Sequence, residues 1–267
     1  MTNNNDFDSS QKGEYHKNGY IFTRELFSKE EIEALANKAR NDQAMDKASS
    51  TRDDGEGNPV RLSLWTQPGD GIYGAFSRSE RIVNRVEQLI DDEAYHYHSK
   101  MIHKDARTGG AWAWHQDYGY WYEFSALYPN FCSVMIAVDD ATVENGCLQV
   151  LKGSHLMGRV NHTLTGEQAG ADLERVEAAK ERMELVHCEM KAGDALFFHG
   201  NTLHCSAANR SENPRWAMIC SYNARSNEAY KESTQPFYTK LHKMDNSKIL
   251  EIAKEDIGQS DLDYMKL

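Results

Sequence analysis

From Tyr95 onward the chain is a succession of short apolar stretches rich in β-branched and aromatic residues. They run Tyr95 to Ile102, Phe131 to Val138, Cys147 to Leu151, Glu184 to Met190, Ala195 to Phe198 and Arg215 to Tyr222. Each has strand length, and Gly, Asn, Asp or Pro punctuates the intervals between them. The exception is Ala171 to Met183, where Leu173, Val176 and Ala179 fall at helical spacing. Ahead of the strands, Tyr20-Ile21-Phe22 reads as a short strand. Ser28-Lys29-Glu30-Glu31 opens a helix with a capping box, and Ile82, Val86, Leu89 and Ile90 line one face of another. Short strands in this number with two helices ahead of them predict a mainly β fold, a jelly roll covered on one side by helices.

Two other stretches carry less pattern. Residues 1–17, rich in Asn, Asp, Ser and Lys, read as a mobile lead-in to a single domain over 18–267. Ser49 to Pro59 is charged and Gly-containing with no apolar rhythm, which predicts a mobile loop and a candidate lid.

Chemistry concentrates on the strands. In Trp114-His115-Gln116-Asp117-Tyr118, residues i and i+2 of an extended segment project to one face, so His115 and Asp117 can grip one ion. Two neutral imidazoles and a carboxylate on one face of an octahedron form the facial triad of non-haem Fe(II) oxygenases, and a second strand must supply the other imidazole. His204, five residues beyond the apolar strand ending in Phe197-Phe198-His199, is the candidate. His199 itself falls on the opposite face and reads as a packed histidine. Arg215 opens a further apolar run; its planar, permanently charged fork suits a dicarboxylate. Ser206 adds a hydroxyl on the same face as His204.

These blocks, Phe197-Phe198-His199, His204-x-Ser206, Asn209-Arg210-Ser211 and Arg215, together with Glu144 to His155, resemble the phytanoyl-CoA dioxygenase family of Fe(II)/2-oxoglutarate oxygenases. The resemblance runs from about Asn18 to about Asn223 and departs from the family at Lys152, where members often have Pro. It implies a double-stranded β-helix of the cupin-like jelly-roll type, with Fe(II) on His115, Asp117 and His204 and 2-oxoglutarate on Ser206 and Arg215. It also implies O2 as oxidant and hydroxylation of an aliphatic C–H bond with release of succinate and CO2. Related halogenases have a small residue where Asp117 stands, so the carboxylate favours hydroxylation.

The substrate is less constrained. The family name suggests an acyl-CoA, but no basic cluster suited to the CoA phosphates stands out; a small polar metabolite such as an amino acid, organic acid or phosphonate is the expected substrate. A non-catalytic metal- or 2-oxoglutarate-binding module is the alternative. On the alternating strand Tyr95 to Met101, His98 and Lys100 share a face and are candidate substrate contacts. So are Tyr118, Tyr120, Trp121 and Tyr122 in a loop after the metal pair, and Asn223 and Arg225 beyond the last strand.

A formal charge of −11 disfavours nucleic acid and anionic membranes as partners. No apolar run approaches a membrane span, and Cys132, Cys147, Cys188, Cys205 and Cys220 are odd in number with no C-x-x-C pair. Reduced core thiols and a cytoplasmic location are expected.

Overall fold

The computed structural model describes residues 6–165, 168–233, 237–256, 258–260 and 262–265. The strands are β1 (Tyr20–Thr23), β2 (Ser50–Asp53), β3 (Pro59–Trp65), β4 (Ala94–Lys104), β5 (Trp112–His115), β6 (Phe131–Ala137), β7 (Leu148–Leu151), β8 (His162–Thr165), β9 (Gln168–Ala171), β10 (Leu185–Cys188), β11 (Ala195–His199), β12 (His204–Ser206), β13 (Arg215–Ala224), β14 (Thr239–Lys240) and β15 (Tyr264–Met265). The helices are α1 (Ser9–Asn18), α2 (Lys29–Asn41), α3 (Gln43–Ala48), α4 (Ile72–Arg78), α5 (Glu80–Ile90), α6 (Asp117–Trp121), α7 (Leu173–Lys180) and α8 (Lys248–Glu255).

Two antiparallel sheets face each other. The larger runs β1-β11-β6-β13-β4-β3-β15, with β14 added to β4 and β2 to β3; the smaller runs β10-β7-β12-β5. Strand alternation assigns the layers. On β6 and β13, Met135, Ala137, Ala217 and Ile219 face the small sheet and pack with Leu148 and Val150. Val134, Ile136, Met218 and Cys220 point the other way, into a second core under the helices. Buried on both faces, β6 reads as a near-continuous apolar run, interrupted only by Ser133. This is the expected jelly roll with one helical cover.

The cover is pinned by capping and charge. Ser28 and Glu31 form the capping box of α2, and Glu31 also takes a two-pronged contact from Arg81 of α5, both distances 2.9 Å. Ile82, Val83, Val86, Leu89 and Ile90 bury one face of α5 against the large sheet.

Two expectations need correction. The N-terminal segment holds α1, capped by Asp8 in a capping box with Gln11. Phe7 and Tyr15 are buried, and the Phe7 ring meets Phe197 edge-on at 5.2 Å. Only residues 1–5 of the expected lead-in lie outside the described residues. Ser49 to Pro59 is likewise mostly a hairpin, since β2 pairs with β3 and the connection is held by Asp53 and Asp54, whose carboxylates accept backbone N–H groups of Gly55, Glu56 and Asn58. Asp54 also accepts from Ala111, tying the hairpin to the segment before β5. All five cysteines are buried free thiols, and among the described residues no helix is long and apolar enough to cross a membrane.

Candidate metal centre and cavity

β5 and β12 are neighbours in the small sheet, and their antiparallel register sets His115 directly opposite His204. Each imidazole donates its Nδ1–H to the carbonyl two residues earlier, His115 to Ala113 and His204 to Thr202, both at 2.8 Å. That fixes the tautomer and leaves each Nε2 with a bare lone pair. Burial holds both rings below the ordinary histidine pKa, so both are neutral.

The carboxylate arrives by a turn of the chain. Gln116 is still extended, which preserves the i, i+2 relation, but Asp117 is the first residue of α6, so the aromatics after it lie on a helix where a loop was expected. Asp117 Oδ1 lies 4.0 Å from each Nε2, and the three donor atoms fall within 4.8 Å of one another. Its Oδ2 accepts a 2.7 Å hydrogen bond from Ser133. Burial works against ionisation, yet the Lys100 charge, the imidazoles where they are protonated and the Ser133 hydrogen bond hold the carboxyl well below the usual carboxylate range. Three lone pairs facing one point inside a protein repel unless a cation stands between them. Two nitrogens and one oxygen on one side of that point suit a six-coordinate Fe(II). His199 is not among them; its ring packs beside His155.

From His115 and His204 a narrow cavity of about 50 Å³ extends between the sheets, walled by Val60, Leu62, Ile102, Met135, Leu148 and Ile219. Its far end is cationic. Arg215 projects into it from β13 in the facing sheet, because the strand it opens pairs with β4 and β6. It donates Nη2–H to the Gly146 carbonyl at 2.6 Å and keeps a buried Nε with no partner. Burial lowers its pKa to about 10, which leaves it charged at neutral pH. Gly146 itself is left-handed, at φ +76°, and a Cβ there would meet the Ala207 carbonyl oxygen at 2.2 Å.

Lys104 was missed because the predicted strand stopped at Ile102. β4 continues, and the inward row 98, 100, 102 reaches 104. Its Nζ donates to Gly110 O at 2.9 Å, to Ser206 Oγ at 3.0 Å and to Ala207 O. As an ammonium Lys104 donates all three bonds and Ser206 keeps its own proton for a bound anion; as the neutral amine it donates to the two carbonyls and its lone pair accepts from Ser206. Burial, then the Arg215 charge, push the Lys104 pKa down to about 6. Ser133 was missed as well, although a lone hydroxyl in the apolar stretch Phe131 to Ala137 is a legible signal.

The proposed substrate contacts divide. Lys100 Nζ lies 3.8 Å from Asp117 Oδ1. Near it, β4 carries an extra residue: Ser221 faces His98 and Tyr222 faces His96, leaving Tyr97 in a bulge. Tyr97 and His98 consequently both meet Trp121, at 4.8 and 5.6 Å. Tyr97 Oη and both His98 ring nitrogens are buried without partners. Tyr120 packs 5.6 Å from His115 and donates its hydroxyl to Ala169. Tyr118 points away, its hydroxyl spent on Leu127 O at 2.7 Å. Asn223 is tied up with Asn227, Arg225 with Glu93, and Tyr122 lies under Arg159 at the surface. These side chains are not brought to the trio.

A jelly roll with two imidazoles and a carboxylate converging at one end of its cavity defines the mononuclear non-haem oxygenase class. Comparison narrows the class: the sequence model of the phytanoyl-CoA dioxygenase (PhyH) family matches residues 15–217, and the chain belongs to that family. Relatives include an L-proline trans-4-hydroxylase of Streptomyces griseoviridis, 27% identical over 78% of this chain and 81% of its own length. An ectoine dioxygenase of Bordetella bronchiseptica is 26% identical over 82% and 76%. The crystal structure of EctD from S. alaskensis with 2-oxoglutarate and 5-hydroxyectoine shares the fold, with a TM-score of 0.76 at 20% identity, covering 92% of this chain and 89% of the other.

Proposed function

We propose that this protein is an Fe(II)/2-oxoglutarate-dependent dioxygenase that hydroxylates an aliphatic C–H bond of a small polar metabolite. The observation that carries the reading is the convergence of two bare Nε2 atoms and Asp117 Oδ1 at the end of a cavity whose opposite end holds an unspent guanidinium N–H. His115, Asp117 and His204 would hold the metal; Arg215, the Ser206 hydroxyl and Lys104 would hold the distal carboxylate of 2-oxoglutarate. Metal, 2-oxoglutarate and O2 together would supply the oxidant for an unactivated C–H bond, with succinate and CO2 as by-products.

The protein's share is positioning. Ser133 keeps Oδ2 of Asp117 occupied, so Oδ1 is presented alone. Val60, Leu62 and Ile219 give the anchor an apolar lining, where a charge-assisted pair is worth more than in solvent. On the substrate side, Lys100 offers a cation, neutral His98 one donor and one acceptor, and Trp121 and Tyr120 apolar walls. The relatives' names, for L-proline and ectoine, support a substrate of that size. Buried free thiols and the acidic balance support a cytoplasmic enzyme without nucleic-acid or membrane partners.

Anaerobic addition of Fe(II) and 2-oxoglutarate should produce the weak visible charge-transfer band of the chelate, and His204→Ala should abolish it. Persistence of the band in that variant would remove His204 from the ligand set.

A further inference from the structure

We propose that His162, on the β8–β9 hairpin, is a positioning residue that sets where Asp117 presents its carboxylate. The inference rests on the reading of His115, Asp117 and His204 as a metal site. The backbone N–H groups on either side of Asp117 are both held by neighbours. Tyr118 N–H donates to Gly200 O at 2.8 Å, and Gln116 N–H donates to His162 Nε2 at 3.0 Å. His162 is prepared for this, because its Nδ1–H is spent on Val160 O at 3.0 Å and leaves Nε2 as an acceptor. Residue 116 is fixed at its other end too. Its side-chain amide donates to Gly158 O and Asn201 O and accepts from Val160 N–H, at 2.7 to 2.8 Å.

The ring also shapes α6. A Cβ on Gly119 would lie 1.8 Å from His162 Cε1, and Gly119 is not in the left-handed region, so the imidazole is the nearest obstacle to a side chain there. Tyr120 packs on the same ring at 4.9 Å and donates its hydroxyl to Ala169 of β9. The hairpin thus grips the corner between β5 and α6, the one place where the chain must turn to bring a carboxylate opposite two imidazoles.

Co(II) serves as the probe, because its visible absorption reports both affinity and ligand geometry. The wild-type protein is titrated first; if it binds neither Co(II) nor Fe(II), the metal-site reading itself fails. His162→Phe should weaken Co(II) binding about 10- to 100-fold and alter the spectrum, with the thermal unfolding of the metal-free protein little changed. His162→Asn, which retains an acceptor, should recover most of the affinity. Gly119→Ala should reproduce the Phe phenotype in the wild type and add little in a His162→Ala background, where the ring's space is vacant. The proposal is overturned by wild-type Co(II) affinity in His162→Phe, by Asn doing no better than Phe, or by a full Gly119→Ala penalty in the His162→Ala background. Should His162→Phe not fold, the Asn variant and the Gly119→Ala pair decide the matter in the same terms.

Discussion

Placed as proposed, Lys104 should make co-substrate binding a protonation event. In the empty cavity its pKa is pushed down to about 6 from 10.5, first by burial and then by Arg215. At pH 8 only about 1% of the free protein carries that proton. A dicarboxylate placed between Arg215 and Lys104 reverses the second cause and supplies an anion at hydrogen-bond range, so the bound form is the ammonium. Binding at pH 8 should therefore take up about one proton per site, and the apparent Kd should rise about tenfold per pH unit above 6, about 1.4 kcal/mol each. The sign is set by which state is protonated: the complex holds the extra proton, so affinity falls as pH rises. Calorimetry of 2-oxoglutarate binding to the oxygen-free, metal-loaded protein, in buffers of different ionisation enthalpy, reads the proton count directly. Lys104→Met should bind more weakly at pH 6, with the uptake and the slope both gone. Equal proton counts in wild type and Lys104→Met, or a Kd flat from pH 6 to 9, would refute the reasoning.

Other outcomes follow from the same geometry. Arg215→Ala should raise the 2-oxoglutarate requirement by about two powers of ten while Fe(II) titration changes little, since charge-assisted bonds contribute about 1.5–3 kcal/mol each; unchanged co-substrate affinity would refute the anchor. Lys100→Met removes an ammonium that competes with a metal for Asp117 Oδ1 at 3.8 Å, and should tighten Fe(II) binding by about tenfold in a competitive chelator titration; weaker binding would assign Lys100 a supporting role instead. Phe7→Ala should destabilise the protein by about 3–4 kcal/mol, measured by denaturant unfolding, because the ring is buried against Phe197. An unchanged midpoint would return the N-terminus to a dispensable lead-in.

The strands and the metal trio were legible because local chemistry and long-range structure agree there. The apolar runs of β6 and β13 mark strands covered on both faces. The misreadings share a physical cause, in that the deciding partner lies far away in sequence. Asp8-Ser9-Ser10-Gln11 is the same kind of capping box as Ser28 to Glu31, but with few apolar residues behind it α1 depends on Phe7 and Tyr15 reaching a distant core. Ser50-Thr51-Arg52-Asp53 has no apolar residue at all and is a strand only because β3 pairs with it. The sheet to which Arg215 belongs depends on strand order, which local pattern does not encode. The bulge at Tyr97 is hidden in the same way: Tyr95 to His98 alternates faultlessly, and only the register with β13 exposes the extra residue.

The inward row of β4 has a consequence for how such an enzyme diversifies. Lys104 stands at the proposed co-substrate anchor, Lys100 beside Asp117 and His98 further along, all on β4. At about 3.3 Å per residue the two ends are about 20 Å apart along the backbone. On the proposed roles, a replacement at His98 should alter the substrate-facing end of the strand while leaving the anchor end, and with it 2-oxoglutarate binding, unchanged.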